Sequence, residues 1–235
     1  MAIVSILVDG GFYQKRAQYL WGKATSEERA DELMAYCRRH IGRHDHLYRI
    51  FYYDCAPSSK KVYHPLKKVQ IDLSKTELYT WMMEFQEHMR NKRKVALRLG
   101  QLLESNLQYV IKPELTKKIC NGTLLLSDLD EQSLVLNIMQ KGVDMRVGLD
   151  IASMAYKKQV NKMILISGDS DFVPAAKLAR REEIDFVLDP MGAAIRPDLN
   201  EHIDGLVSPH FVPKKDAIVA DVAKNKESEE EANMA

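Results

Sequence analysis

The chain has 235 residues, with 34 lysines and arginines against 33 aspartates and glutamates, a net charge of +1, and 46% hydrophobic residues. That size and apolar fraction suit a soluble globular chain built as one large domain, or as one domain with an insertion and a tail. No apolar run approaches the ~20 residues that cross a bilayer, and a charge near zero does not by itself argue for nucleic acid.

Met1-Ala2-Ile3-Val4 runs straight into an apolar stretch without a cationic leader, so a secretory signal is not expected. Cys37, Cys55 and Cys120 are few, far apart and without a CxxC spacing. They read as reduced thiols in a cytoplasmic protein rather than as a disulfide set or a zinc site.

Residues 3–8 predict a first strand that ends at Asp9 before Gly10 and Gly11. Phe12 to Trp21 reads as a helix. Ser26 to Ile41 reads as a second, with Ala30, Leu33, Met34 and Cys37 at helical spacing. Leu47 to Tyr53, rich in aromatic and branched residues, predicts a second strand ending at Asp54. Residues 58–72 show no clear period and read as a loop or an inserted segment. Glu77 to Lys94 has Leu78, Trp81, Met82, Phe85 and Met89 on one face of an amphipathic helix. That face packs on the chain's own sheet or, alternatively, forms a homodimer. Val95 to Gln101 and Leu107 to Ile111 alternate apolar and polar residues, predicting a small hairpin or two edge strands. Glu131 to Met139 and Leu149 to Lys158 read as helices.

From there strands and helices alternate regularly: strand 163–167, helix 173–181 with Pro174 in its first turn, strand 184–188. Such alternation argues for a parallel, doubly wound sheet. After Pro213 the composition turns to Lys, Glu, Ala and Asn, which predicts a disordered charged tail.

The acids carry the chemistry. Ile164 to Ser167 is an apolar run that breaks off at Gly168-Asp169-Ser170-Asp171, and residues 3–8 break off at Asp9. Open α/β sheets bind ligands at that carboxyl edge. A third acidic element is Lys141-Gly142-Val143-Asp144, with Asp150 six residues on. Singly, each of these aspartates has a structural reading, as a helix cap for Asp150 or Asp171 or an Asx turn for Asp9. Jointly, crowded carboxylates repel one another and call for a cation. Oxygen ligands without His or Cys favour Mg²⁺ or Mn²⁺. Lys60, Lys61, Lys67, Lys68, the run Arg90 to Lys94, Arg98, Lys117 and Lys118 make the middle of the chain basic, as a polyanion substrate would require or as solvated helix faces would show.

At these residues the chain resembles a known family. Val8-Asp9-Gly10-Gly11-Phe12, Lys141-Gly142-Val143-Asp144 with Asp150, and Ser167-Gly168-Asp169-Ser170-Asp171-Phe172-Val173-Pro174 resemble the three motifs of the NYN domain, the LabA-like branch of the PIN-like nuclease superfamily. The resemblance covers roughly 3–55 and 130–210. It implies a Rossmann-like α/β domain over 1–212, with a mainly parallel central sheet flanked by helices. Residues 57–120 are then a basic insertion or elaboration, and 213–235 the tail.

The resemblance also implies a metal-dependent ribonuclease acting on single-stranded or structured RNA. Asp9, Asp150, Asp169 and Asp171 match its catalytic acids, and these with Asp144 its Mg²⁺ or Mn²⁺ ligands. Substrate contacts are expected from Lys141 and Ser167 near the acids, and from Lys92, Arg93 and Lys94 on the basic segment. Tyr52, Tyr53, Trp81 and Tyr109 are either stacking platforms or core. One departure stands out: many members of the family carry Asn where this chain has Gly11. That departure favours the alternative, an RNA-binding regulatory module of the same fold with little turnover. An aspartyl-phosphate enzyme fits poorly, because the position two residues after Asp9 is Gly11 rather than a second aspartate.

Overall fold

A computed structural model describes residues 1–209. The expected tail, 213–235, lies outside the described residues. In chain order the elements are β1 (Ile3–Asp9), α1 (Gly10–Trp21), α2 (Ser26–Arg38), β2 (His46–Cys55), β3 (Lys61–His64), β4 (Val69–Asp72), α3 (Glu77–Asn91) and β5 (Val95–Leu102). These are followed by β6 (Gln108–Ile111), α4 (Pro113–Cys120), β7 (Leu134–Asn137), β8 (Gln140–Lys141) and α5 (Val143–Tyr156). The chain closes with β9 (Lys162–Ile166), α6 (Val173–Arg181), β10 (Asp185–Asp189), α7 (Pro197–Asn200) and β11 (Gly205–Leu206).

Seven strands form the central sheet in the order β11-β10-β9-β1-β2-β5-β8. Every pairing is parallel except that of the short β8 with β5. β1 lies in the middle and is apolar on both faces, with Val4 to Val8 all buried, because helices cover the sheet on each side. One core layer joins the sheet to α1, α2 and α3 through Tyr13, Ala17, Leu33, Cys37, Phe85 and Met89. The other joins it to α5 and α6 through Val147, Ile151, Met154, Ala176 and Ala179. From β1 the chain winds outward to β2 and β5 on one side, and returns as β9, β10 and β11 on the other. The order therefore reverses between β1 and β9, which is where open α/β sheets leave a crevice for ligands.

The first helix and strand, the late βα repeats and Pro174 in the first turn of α6 fall where the sequence puts them. The middle of the chain differs. Residues 58–72, read as a loop, contain the β3–β4 hairpin, in which Val62 and His64 turn inward. Four-residue strands are too short to show a period. β5 is a strand, but it enters the central sheet beside β2 instead of pairing with the next alternating stretch. That stretch, β6, pairs with β7, built from residues expected to be helical. Leu134, Val135 and Leu136 carry a strand's composition, and the partner edge of β6 decides the matter. The helix expected at Leu149 begins at Val143 instead, because Gly142 takes the left-handed backbone (φ 78°) that starts it. On α3, Phe85 and Met89 are buried and Trp81 stacks on Phe85 with centroids 5.3 Å apart. Phe85 and Met89 thus commit the inner part of that face to the chain's own core, and among the described residues nothing supports a homodimer.

Candidate active site

Parallel strands present their carboxyl ends on one edge, so residues just past the ends of β1, β2 and β9 must lie together. β1 and β9 pair with Val8 opposite Ile166, and β1 and β2 with Asp9 opposite Tyr53. Asp9, Asp54 and the loop 167–171 therefore share this edge, and the start of α5 brings Asp144 to it.

Asp9 caps α1. Its Oδ1 accepts from the Phe12 N–H at 3.1 Å, and its Oδ2 accepts from the Ser167 hydroxyl at 3.1 Å. The same hydroxyl oxygen accepts the Asp169 N–H at 3.2 Å, and Asp169 Oδ1 accepts the Asp171 N–H at 3.0 Å. A single buried serine thus ties Asp9 to Asp169 across the crevice. Gly10 permits the start of α1 to approach β2 closely: a Cβ there would stand 2.6 Å from the Tyr53 carbonyl oxygen and 2.7 Å from the Tyr52 ring.

The acids feel one another. Burial holds the Asp9 carboxyl above the usual carboxylate range against the Phe12 and Ser167 hydrogen bonds, and the charge of Asp169 adds to the rise. Asp144, in the first turn of α5, is also raised by burial, and then by the charges of Asp9, Asp169 and Asp171. Four carboxylates from three separate elements therefore share one electrostatic environment.

A fifth acid belongs here. Asp54, at the end of β2, is 5% exposed. Burial, with the charge of Asp9 adding to it, pushes its carboxyl up to about 6. Cys55 N–H (2.7 Å) and Gln140 Nε2 (3.4 Å) donate to Oδ1, and the Tyr52 hydroxyl (3.2 Å) donates to Oδ2. Sequence reasoning assigned Asp54 no role. The signal was present, since Tyr52-Tyr53-Asp54 repeats the strand-then-aspartate pattern of Asp9 and Asp169.

The remaining expected site residues are dispersed. Asp150 stands two turns into α5, where its Oδ2 accepts from the Tyr53 hydroxyl (2.9 Å) and pairs with Arg98 Nε (2.8 Å). Lys141 is on β8 at the carboxyl edge and is exposed. Lys92, Arg93 and Lys94 precede β5 and so sit at the opposite, amino edge of the sheet. There Lys92 pairs with Asp31, and Lys94 donates to the Leu47 carbonyl. The structure does not bring these three to the acids. Tyr52 and Tyr53 are wholly buried and Tyr109 packs on His64, whereas Trp81 lines a groove beside Asp54.

Hard oxygen donors gathered at one edge fit a hard divalent cation in charge and chemistry. Among the described residues, no three acidic, histidine or cysteine side chains converge as a ready-made metal cage. Mg²⁺ does not require one, since it commonly takes one or two carboxylates and completes its shell with water and substrate phosphate. Among the described residues, no helix is long and apolar enough to cross a membrane.

Comparison with known proteins agrees with this arrangement. No curated protein and no solved structure matches the chain. A family model does match, over residues 117–194, a span that runs from α4 through β10 and holds Asp144, Asp150, Asp169 and Asp171. Residues 117–194, with the late strands of the reversing parallel sheet and the acids at the switch point, match the NYN domain.

Proposed function

We propose that the chain is a ribonuclease that hydrolyses RNA phosphodiesters at the carboxyl edge of β1 and β9, with Mg²⁺ or Mn²⁺. The observation that carries this reading is the gathering of Asp9, Asp144, Asp169 and Asp171 at one edge, where burial first and then the charge of neighbouring acids raises the Asp9 and Asp144 carboxyls, an arrangement that costs stability unless a cation offsets it. NYN domains are generally ribonucleases, and that supports the substrate class.

In this reading Asp9, Asp144, Asp169 and Asp171 hold the cation. When bound, it supplies a polarised phosphoryl oxygen and an acidified water. The chain's own residues do the positioning. Ser167 fixes the Asp9 carboxylate relative to the Asp169 backbone, and the Phe12 N–H orients Asp9 from the start of α1. Lys141, exposed on the same edge, meets a substrate phosphate. Asp150, already engaged by Arg98 and Tyr53, contributes negative charge behind the set and steadies α5 against β2. A second reading, an RNA-binding regulator with little turnover, draws on the same edge and is favoured by Gly11.

Cleavage of a labelled single-stranded RNA in Mn²⁺, Mg²⁺ or EDTA, with wild type beside Asp169→Asn, separates the two. The expected result is metal-dependent cleavage that falls on the order of 10²–10³-fold in the variant. The thermal midpoint should be equal or higher, because the substitution removes repulsion. Salt-sensitive RNA binding without cleavage in either protein would establish the regulator instead.

A further inference from the structure

A groove opens beside the carboxylates between α1 and α3. Its inner part, about 510 Å³, runs past Gly10, Gly11, Gln14, Asp54, Trp81 and Gln140. Its outer part, about 460 Å³, continues past Pro57, Leu73, Tyr79 and Leu136. The two share Gly11, Lys15, Leu78, Met82 and Gln140, so they form one trough leading away from the acids.

Its chemistry is specific. The floor is apolar, with Phe85 beneath, Trp81 stacked on it, and Met82 and Leu78 along one wall; Leu78 is 65% exposed although it is a leucine. Amides border the inner end. Gln14 Nε2 donates to the Tyr52 hydroxyl (3.3 Å) and Gln140 Nε2 to Asp54, and each keeps its carbonyl oxygen without a donor among the described residues. Lys15 and Lys23 stand at the rim without an ion pair among the described residues. Apolar surface for stacking, amides that can both donate and accept, and flanking ammonium groups are the three contacts that a single-stranded polynucleotide makes. A double helix offers its phosphates but keeps its base faces stacked, so it cannot fill an apolar trough.

The mouth is open where the trough meets the acids. A Cβ on Gly11 would meet only Asp9 Oδ1, at 3.6 Å, so the absence of a side chain is not forced by crowding and leaves the passage clear.

We infer that the α1–α3 groove binds unpaired RNA, seating bases between Trp81 and Leu78 on one side and Gln14 and Gln140 on the other, with Lys15 and Lys23 on the backbone. The inference rests on the proposed RNA substrate and narrows it to single strands.

The test is binding of a fluorescein-labelled 12-nucleotide single-stranded RNA, and of the same sequence in a duplex, measured by anisotropy in EDTA. Leu78→Glu, Gly11→Leu and the pair Lys15→Glu with Lys23→Glu are compared with Lys92→Glu at the amino edge. The single strand is expected to bind at least tenfold more tightly than the duplex. Each groove variant should lose at least tenfold, and Lys92→Glu less than twofold. The lysine pair should also flatten the slope of log K against log salt by about 1.4, at roughly 0.7 per phosphate contact. Equal binding to duplex, no binding, or groove variants that bind like wild type would overturn the inference. Leu78 and Gly11 are open to solvent or to space, so these variants retain the fold, which circular dichroism checks. Hydrolysis of bis(p-nitrophenyl) phosphate in Mn²⁺ by wild type and by Asp169→Asn reports on the carboxylates alone, so a failed groove and a failed nuclease give different results.

Discussion

The ends of β1 and β10 begin alike and finish differently. Each closes a buried strand with an aspartate at the same edge of the sheet, Asp9 in one case and Asp189 in the other. Asp189 is completely buried and completely satisfied. His40 Nε2 lies 2.8 Å from its Oδ2, and the Met191 N–H and the Ser208 hydroxyl each donate to Oδ1 at 2.7 Å. Asp9 is met by the Phe12 and Gly11 N–H groups and the Ser167 hydroxyl, and the charge of Asp169 opposes its ionisation. The difference teaches that a strand-end aspartate stays available to a cation when the surrounding chain declines to neutralise it. Asp189 instead ties α2, the loop after β10 and the segment at Ser208 into one buried junction.

The comparison breaks most visibly at Asp189. Asp189→Ala strands the His40 ring, a backbone N–H and a hydroxyl in the core, and should cost roughly 3–5 kcal/mol in urea denaturation. A loss below about 1 kcal/mol would mean that the junction is not structural.

Asp54 should respond in the opposite direction. Its carboxyl titrates near 6 in the folded chain against an ordinary value near 4, so the folded state holds the proton more tightly between those values. Stability from this group is therefore unaffected below about pH 4 and falls as pH rises toward 6. Asp54→Asn should raise stability by roughly 2–3 kcal/mol at pH 7.5, without added metal, and by nothing near pH 4. A pH-independent difference would place the cause in packing rather than in charge.

The smallest effect belongs to Arg98→Met. The Arg98–Asp150 pair is part-exposed, and Arg98 also lies 5.0 Å from the centre of the Phe51 ring. Its loss should cost about 1 kcal/mol or less. It should leave metal-dependent cleavage within a fewfold of wild type if Asp150 is a support, whereas a drop comparable to that of Asp169→Asn would make Asp150 a ligand.

Local pattern was sufficient wherever apolar periodicity and a breaker coincided. Val4 to Val8 before Asp9-Gly10-Gly11, and Met163 to Ile166 before Ser167-Gly168-Asp169, announce buried parallel strands and the acids that end them, because burial on both faces demands a continuous apolar run. The central placement of those strands and the doubly wound class follow from the same alternation. Tertiary structure alone decided the rest. Whether Leu134 to Asn137 becomes helix or strand depends on the edge of β6, where Tyr109 pairs with Leu136 from 27 residues away, and no window of local sequence contains that partner.

 The same holds for the acids. Asp9, Asp144 and Asp169 are visible one by one in the sequence, but only the parallel register sets Asp54 beside Asp9, and only the packing of α5 on β2 gives Asp150 to Arg98 and Tyr53. Lys92 to Lys94 looked like substrate contacts from charge alone, yet the direction of β5 carries them to the far edge of the sheet. Sequence determines which groups are available and where the chain must turn. Which of them face one another, and which charges are left without a partner, is settled by long-range packing, because electrostatic and apolar neighbours come from segments that are distant along the chain.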